Sequence, residues 1–260
     1  GQDDALDRHE PDFPSRPSTS GCVRAGPEPP CRISTPDIGE TIVSARPLAE
    51  YVAMFDLDDE VLRRRPILDC PGGASSFAAE VRARGGEVTS VDPLYALPPE
   101  VFAARARADV RRSNRFVRDN IERYVWPFFS SLDDHLARRG AGCERFIADR
   151  TASPDAYVAA ALPTLPFADD TFALVLSSHL MFSYADRLDH GFHLDALREL
   201  ARVCAGEVRV YPLVDVGAAP YPRLADLRET LLAEGLNSEL RRVPYEFQRG
   251  ADRMLVLTSG

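Results

Sequence analysis

Asp69-Cys70-Pro71-Gly72-Gly73 stands between a short apolar run, Pro66-Ile67-Leu68, and a segment of helical spacing, Ser75–Arg84. A strand that turns through glycines into a helix leaves bare backbone amides beside a ligand, and the positive end of the helix opens toward it. The next apolar run, Glu87–Val91, closes on Asp92. A carboxylate at the tip of the second strand of such a βαβ unit is placed to accept from both hydroxyls of a ribose. The chemistry implied is the holding of a nucleoside-containing ligand by backbone amides and one acid. Cys70 lies inside the turn, where its backbone rather than its thiol is used.

These residues need a frame. Residues 1–40 are rich in Pro, Ser, Asp and Arg without an apolar period and read as a tail or a lid. The spacing predicts a helix over 46–64, a strand over 66–70, a helix over 75–84 stopped by Gly85-Gly86, and a strand over 87–91. Residues 94–143 read as a helical insertion carrying an aromatic cluster at Tyr124, Trp126, Phe128 and Phe129. Beyond it the pattern predicts strands at 145–148, 174–177 and 207–211, with helices over 194–204 and 224–234. A hairpin over 239–245 and 253–257 turns at Arg249-Gly250. Strands alternating with helices make an α/β domain over 41–260, with a mostly parallel seven-stranded sheet, helices on both faces and an antiparallel C-terminal hairpin.

Composition narrows the partners. The chain has 260 residues, 45% of them hydrophobic, enough for one sizeable core. Forty acidic residues against 31 Lys and Arg leave a net charge of -9, which argues against a nucleic-acid substrate. No apolar run approaches the roughly 20 residues of a membrane span. Five cysteines at wide spacing, Cys22, Cys31, Cys70, Cys143 and Cys204, suit a reduced cytoplasmic chain better than a disulfide framework or a zinc site. Gly1 in place of Met reads as a processed end or a tag remnant.

The Ile67–Ser75 loop, the Val88–Asp92 strand, the Leu165–His179 stretch (Leu-Pro-Phe-Ala-Asp-Asp-Thr-Phe-Ala-Leu-Val-Leu-Ser-Ser-His) and the Leu197–Val203 helix together resemble class I S-adenosylmethionine (SAM)-dependent methyltransferases. The resemblance covers roughly residues 45–258 and departs from the family pattern at Pro71, Ser75 and Ala173. It implies a Rossmann-like fold and SAM as cofactor. By the same resemblance, Asp69, Gly72 and Gly73 would line the methionine portion of SAM, with Cys70 and Pro71 also among the cofactor-binding residues. Asp92 would hold the ribose, with Pro93 and Leu94 beside the adenine, and Asp149 would meet the adenine amino group. Ser177, Ser178 and His179 would sit under the sulfonium. Ser44, Arg46 and Tyr51 are candidates for the SAM carboxylate. Phe182 and Tyr184 would face an acceptor, and His179 is the candidate general base.

Methyl transfer to a small molecule is the first functional reading, with no nucleic acid, membrane or metal involved. Asn-Pro-Pro-Tyr, a Pro-Cys nucleophile after a strand and a metal-binding acidic triplet are absent from the sequence. A second reading is open. The Ser177–Tyr184 run (Ser-Ser-His-Leu-Met-Phe-Ser-Tyr) and the Cys70-Pro71-Gly72-Gly73 loop resemble the enzymes that cyclise SAM itself to azetidine-2-carboxylic acid and methylthioadenosine. A third reading is a SAM-fold scaffold without catalysis. Sequence alone leaves the oligomeric state undetermined.

Overall fold

The computed structural model describes residues 41–63 and 66–260; the Pro-rich segment 1–40, expected as a tail or lid, and the cysteines Cys22 and Cys31 lie outside them. The first helical stretch is two helices rather than one. α1, Leu48–Phe55, ends where Asp56 takes a left-handed φ of 49°. α2, Asp59–Leu62, restarts after Asp58, whose carboxylate accepts from the Val61 amide. β1, Ile67–Asp69, α3, Phe77–Arg82, and β2, Val88–Val91, form the expected βαβ unit.

The insertion is a pair of long helices, α4, Pro99–Asp119, and α5, Leu132–Ala152, packed against one another through Phe102, Ala106, Cys143 and Phe146. Here the expectation is corrected. Residues 145–148 are helix, not a third strand, and the insertion runs to 152. The buried side of α5, His135, Arg139, Gly142, Cys143 and Phe146, repeats at helical spacing. Phe-Ile-Ala by itself is too short an apolar run to separate strand from helix. The third strand is Tyr157–Val158, only two residues long.

β4, Phe172–Ser178, α6, His190–Arg202, β5, Cys204–Tyr211, and α7, Leu224–Ala233, follow. α6 starts where Asp189 accepts from the Phe192 amide, and it buries His193, Ala196, Leu197 and Leu200, one stripe of the helix. β6, Leu236–Arg242, and β7, Arg253–Ser259, pair antiparallel, three residues earlier at the start than the sequence pattern suggests. The loop between them instead sends Tyr245 and Phe247 into the core.

The seven strands order as β3-β2-β1-β4-β5-β7-β6, with β1 to β5 parallel and β7 antiparallel to β5. Alternation along β4 divides the core. Leu174 and Leu176 join Tyr51, Phe55 and Phe77 on one face, and Val175 joins Leu197, Leu200 and Leu227 on the other. Successive connections run outward in opposite directions from β1 and β4. The crevice beyond the carboxyl ends of those two strands is where an open α/β sheet binds its ligands.

Candidate active site

The β1 loop and the β2 acid meet as the sequence predicts. Asp92 Oδ2 accepts from the Gly73 amide at 3.2 Å and Oδ1 from the Leu94 amide at 2.9 Å. The Gly72 amide donates to the Val91 carbonyl at 2.8 Å, so the glycine turn is tied to the end of β2. The Cys70–Pro71 peptide is cis. Gly73 sits at φ +53°, and a Cβ there would come within 2.9 Å of the Ser44 carbonyl oxygen. Glycine is therefore required twice, by its dihedral and by the chain that crosses it. That chain, residues 44–46, is stitched down by Ala74 donating to the Ser44 carbonyl and by the Ser75 hydroxyl donating to the Arg46 carbonyl at 2.7 Å.

A cleft of about 590 Å³ opens here. Its walls are Val43 and Ser44, the loop residues Cys70, Pro71 and Gly73, then Asp92, Pro93 and Leu94 after β2, Ala160–Leu162 after β3, and Ser178–Leu180 after β4. Beneath it lies Asp69, fully buried, with Oδ1 accepting from the Tyr51 hydroxyl at 2.9 Å and Oδ2 without a partner among the described residues. Burial, and then the nearby Asp92 charge, push the Asp69 carboxyl up to about 8, although the Tyr51 hydrogen bond opposes this. The same burial raises the Tyr51 hydroxyl and, more modestly, Asp92.

His179 closes β4 in a left-handed conformation, φ 51°, its amide donating to the Tyr211 carbonyl at 2.8 Å. Its Nδ1 is buried without a partner among the described residues, and desolvation holds the imidazole well below its usual range, so the ring is neutral. With Ile42 and Ser44 it lines both the cleft and a second, smaller cavity of about 90 Å³. That cavity holds Arg46, Arg139, Ser183, Tyr184, Tyr211 and Tyr245 among its walls. Tyr184 accepts from the Ile42 amide at 3.0 Å, which pins the described N-terminal segment to the end of β4.

The expected residues thus divide. Cys70, Pro71, Asp92, Pro93, Ser178 and His179 line the cleft. Gly72, Asp69, Tyr51 and Ser177 are buried and do not line it. Arg46 and Tyr184 belong to the second cavity. Two expectations are corrected. Asp149 lies on α5, ion-paired with Arg82 and accepting from the Tyr157 hydroxyl at 2.5 Å, and it is no part of the cleft. Its displacement follows from the helix that replaces the expected third strand. Phe182 packs between His193 and Tyr221 on the α6 face, at 5.3 and 5.1 Å between ring centroids, and is core. Of the insertion's aromatic cluster, Tyr124 reaches the second cavity, while Trp126, Phe128 and Phe129 pack on Phe247 and Tyr245.

Sequence reasoning missed Glu50, His135 and Arg139. The available signal was polar residues inside apolar stripes: Glu50 four positions after Arg46 in α1, and His135 and Arg139 four apart in α5. Among the described residues no cluster of three or more His, Cys, Asp or Glu side chains is arranged to hold a metal. No helix among them is long and apolar enough to cross a membrane.

No family model matches the chain. An uncharacterized protein of Methanocaldococcus jannaschii is 28% identical over 222 residues, covering 85% of this chain and 97% of that protein. Among solved structures, the Burkholderia thailandensis 1,6-didemethyltoxoflavin-N1-methyltransferase, with 1,6-didemethyltoxoflavin and S-adenosylhomocysteine bound, aligns at TM-score 0.45 and 16% identity over 81% of this chain and 77% of its own. The SAM-bound magnesium protoporphyrin IX methyltransferase of Synechocystis PCC 6803 aligns at TM-score 0.41 and 12% identity over 82% of this chain and 78% of its own.

Proposed function

We propose that the chain is a SAM-dependent methyltransferase acting on a small molecule. The observation that carries this reading is Asp92 bound to the Gly73 amide at the mouth of the cleft, a ribose acid and a bare glycine turn held as one unit. The residues fit the cofactor. A cleft of about 590 Å³ lies within the ~300–1,000 Å³ of sites for ligands of that size. Asp92 takes the ribose hydroxyls and Pro93 and Leu94 flank the base. The unpartnered Asp69 Oδ2 beneath the loop is an acceptor for the ammonium of the methionine portion.

When bound, SAM supplies a methyl on a sulfonium: the acceptor's nucleophilic atom bonds to that carbon as the carbon–sulfur pair leaves with sulfur. The protein aligns the acceptor and excludes water. The neutral His179, which lines both the cleft and the second cavity, takes the nucleophile's proton where it carries one. The second cavity supports a reaction with two substrates over cyclisation of SAM, which needs no separate acceptor. Incubation with SAM alone is the test. Little methylthioadenosine beyond the buffer rate is expected, with S-adenosylhomocysteine appearing only when an acceptor is added. Methylthioadenosine formed rapidly without an acceptor would establish the cyclase, and absence of SAM binding by calorimetry would leave a scaffold.

The pH dependence of SAM affinity follows from Asp69. In the ligand-free chain its carboxyl ionises near 8, so at neutral pH it is largely protonated. A seated cation favours the carboxylate, so binding releases a proton and strengthens as pH rises toward 8. Calorimetric affinities between pH 6 and 8 should rise by up to about tenfold per pH unit, the limit for one linked proton. Asp69→Asn should bind more weakly and lose the slope. His179, neutral throughout this range, adds none.

A further inference from the structure

The cavity beyond His179 has a charge imbalance. Arg46 and Arg139 are 7% and 6% exposed, and the acid between them, Glu50, is wholly buried. One oxygen, Glu50 Oε1, takes Arg139 Nη2 at 2.6 Å and the Tyr245 hydroxyl at 2.7 Å, with Arg46 Nε at 3.3 Å in ion-pair range. Arg46 Nε and Nη1, Arg139 Nε, Ser183 Oγ and Glu50 Oε2 are buried without hydrogen-bond partners among the described residues. The two histidines add no charge, since burial holds His135 down to about 2 and His179 well below its usual range. Among the described residues two buried cations therefore face one buried anion, Glu50, since Asp69, the other buried acid within electrostatic reach of Arg46, is pushed up to about 8 by its burial; the excess positive charge is unfavourable unless a further anion joins it.

We propose that this cavity is a carboxylate subsite, in which Arg46 and Arg139 hold the acid group of a small monocarboxylate that accepts the methyl. That the molecule is a methyl acceptor rests on reading the adjoining cleft as the SAM site; that the cavity takes a carboxylate does not. The charge selects the class. A monoanion cancels the one excess positive charge, whereas an amino-acid zwitterion, including the methionine end of SAM, leaves it in place. Arg46 and Arg139 line this cavity and not the cleft. Size selects further. About 90 Å³ is the liquid share of some three waters at ~30 Å³ each, room for the acid end of a molecule and a few carbons. Tyr124, Tyr184, Tyr211 and Phe247 supply the surface for those carbons. The nucleophilic atom, a few bonds from the acid, then lies toward Ile42, Ser44 and His179, the wall that the two cavities share.

Propionate, propionamide and alanine, titrated into the full chain by saturation-transfer NMR with and without S-adenosylhomocysteine, test this. Propionate is expected to bind at least tenfold more tightly than the neutral amide or the zwitterion, with S-adenosylhomocysteine bound or not. Arg139→Met should lose that preference. Should its melting curve show misfolding, Arg46→Gln serves in its place, and the wild-type comparison needs no variant. Equal binding of the three probes, or no binding of any, would overturn the subsite and leave a water-filled cavity. Displacement of propionate by S-adenosylhomocysteine would overturn it too, by giving the arginines to the cofactor's own carboxylate. Propionate binding in a chain that does not bind S-adenosylhomocysteine would sustain the subsite and refute the SAM reading.

Discussion

Asp92→Ala is expected to weaken SAM binding by more than about a hundredfold. Two ribose hydroxyls lose a charged acceptor, each such bond being worth ~1.5–3 kcal/mol, and ~1.4 kcal/mol is a factor of ten. The same substitution removes the acceptor for the Gly73 and Leu94 amides, so the loop also loosens. The two effects separate by measurement. Calorimetry reads the affinity, and a thermal melt reads the loop, whose two lost bonds at ~0.5–1.5 kcal/mol each should lower Tm by a few degrees. Asp92→Asn keeps an acceptor and should fall between Asp92→Ala and the wild type. A folded Asp92→Ala chain with unchanged SAM affinity would remove the acid from the ribose and with it the main support for the cofactor.

Gly73→Ala should be the most damaging change to the loop itself. A left-handed conformation costs a non-glycine residue ~1–2 kcal/mol. The new Cβ would also lie 2.9 Å from the Ser44 carbonyl oxygen, a backbone atom that cannot rotate away. Relief requires lifting residues 44–46 from the loop, against the Ala74–Ser44 and Ser75–Arg46 hydrogen bonds. A loss of ~3 kcal/mol, or roughly 6–12 °C in Tm for a domain of this size, is expected together with weaker SAM binding. Gly140→Ala is the control. It lies inside α5 with nothing within 4 Å of a new Cβ, so alanine there should stabilise by about 0.5–1 kcal/mol. A Gly73→Ala chain as stable as the wild type would mean that the N-terminal segment does not bear on the loop.

What the sequence made legible was local or periodic. The β1 turn and Asp92 are neighbours through a single βαβ unit, so residue types and spacing sufficed to place them. β4, α6, β5 and α7 are long enough for their periods to be read, to within a few residues at each end. Failure came where the signal was short. β3 has two residues, and the Phe-Ile-Ala run that stood in for it belongs to α5, which carried Asp149 away from the cleft. Phe182 was misplaced because its position after β4 suggested exposure to the site, while His193 and Tyr221 draw it to the opposite face. The second cavity could not be read at all. It gathers Arg46 from ahead of α1, Arg139 from α5, Tyr211 from β5 and Tyr245 from the hairpin loop, none of which are neighbours in the chain.

The partition between the two cavities is made of Ile42, Ser44 and His179, from opposite halves of the chain. Moving the β1–β2 unit to another scaffold would therefore carry over the nucleoside half of the site and leave the arginine half behind. Conversely, redesigning the loop bearing Tyr245 and Phe247 would alter what fits past His179 with the strands untouched, whereas the stretch ahead of α1 lines both cavities and would alter both. If the proposed reaction holds, libraries aimed at new acceptors belong in the Tyr245–Phe247 loop, which lines the second cavity and not the cleft.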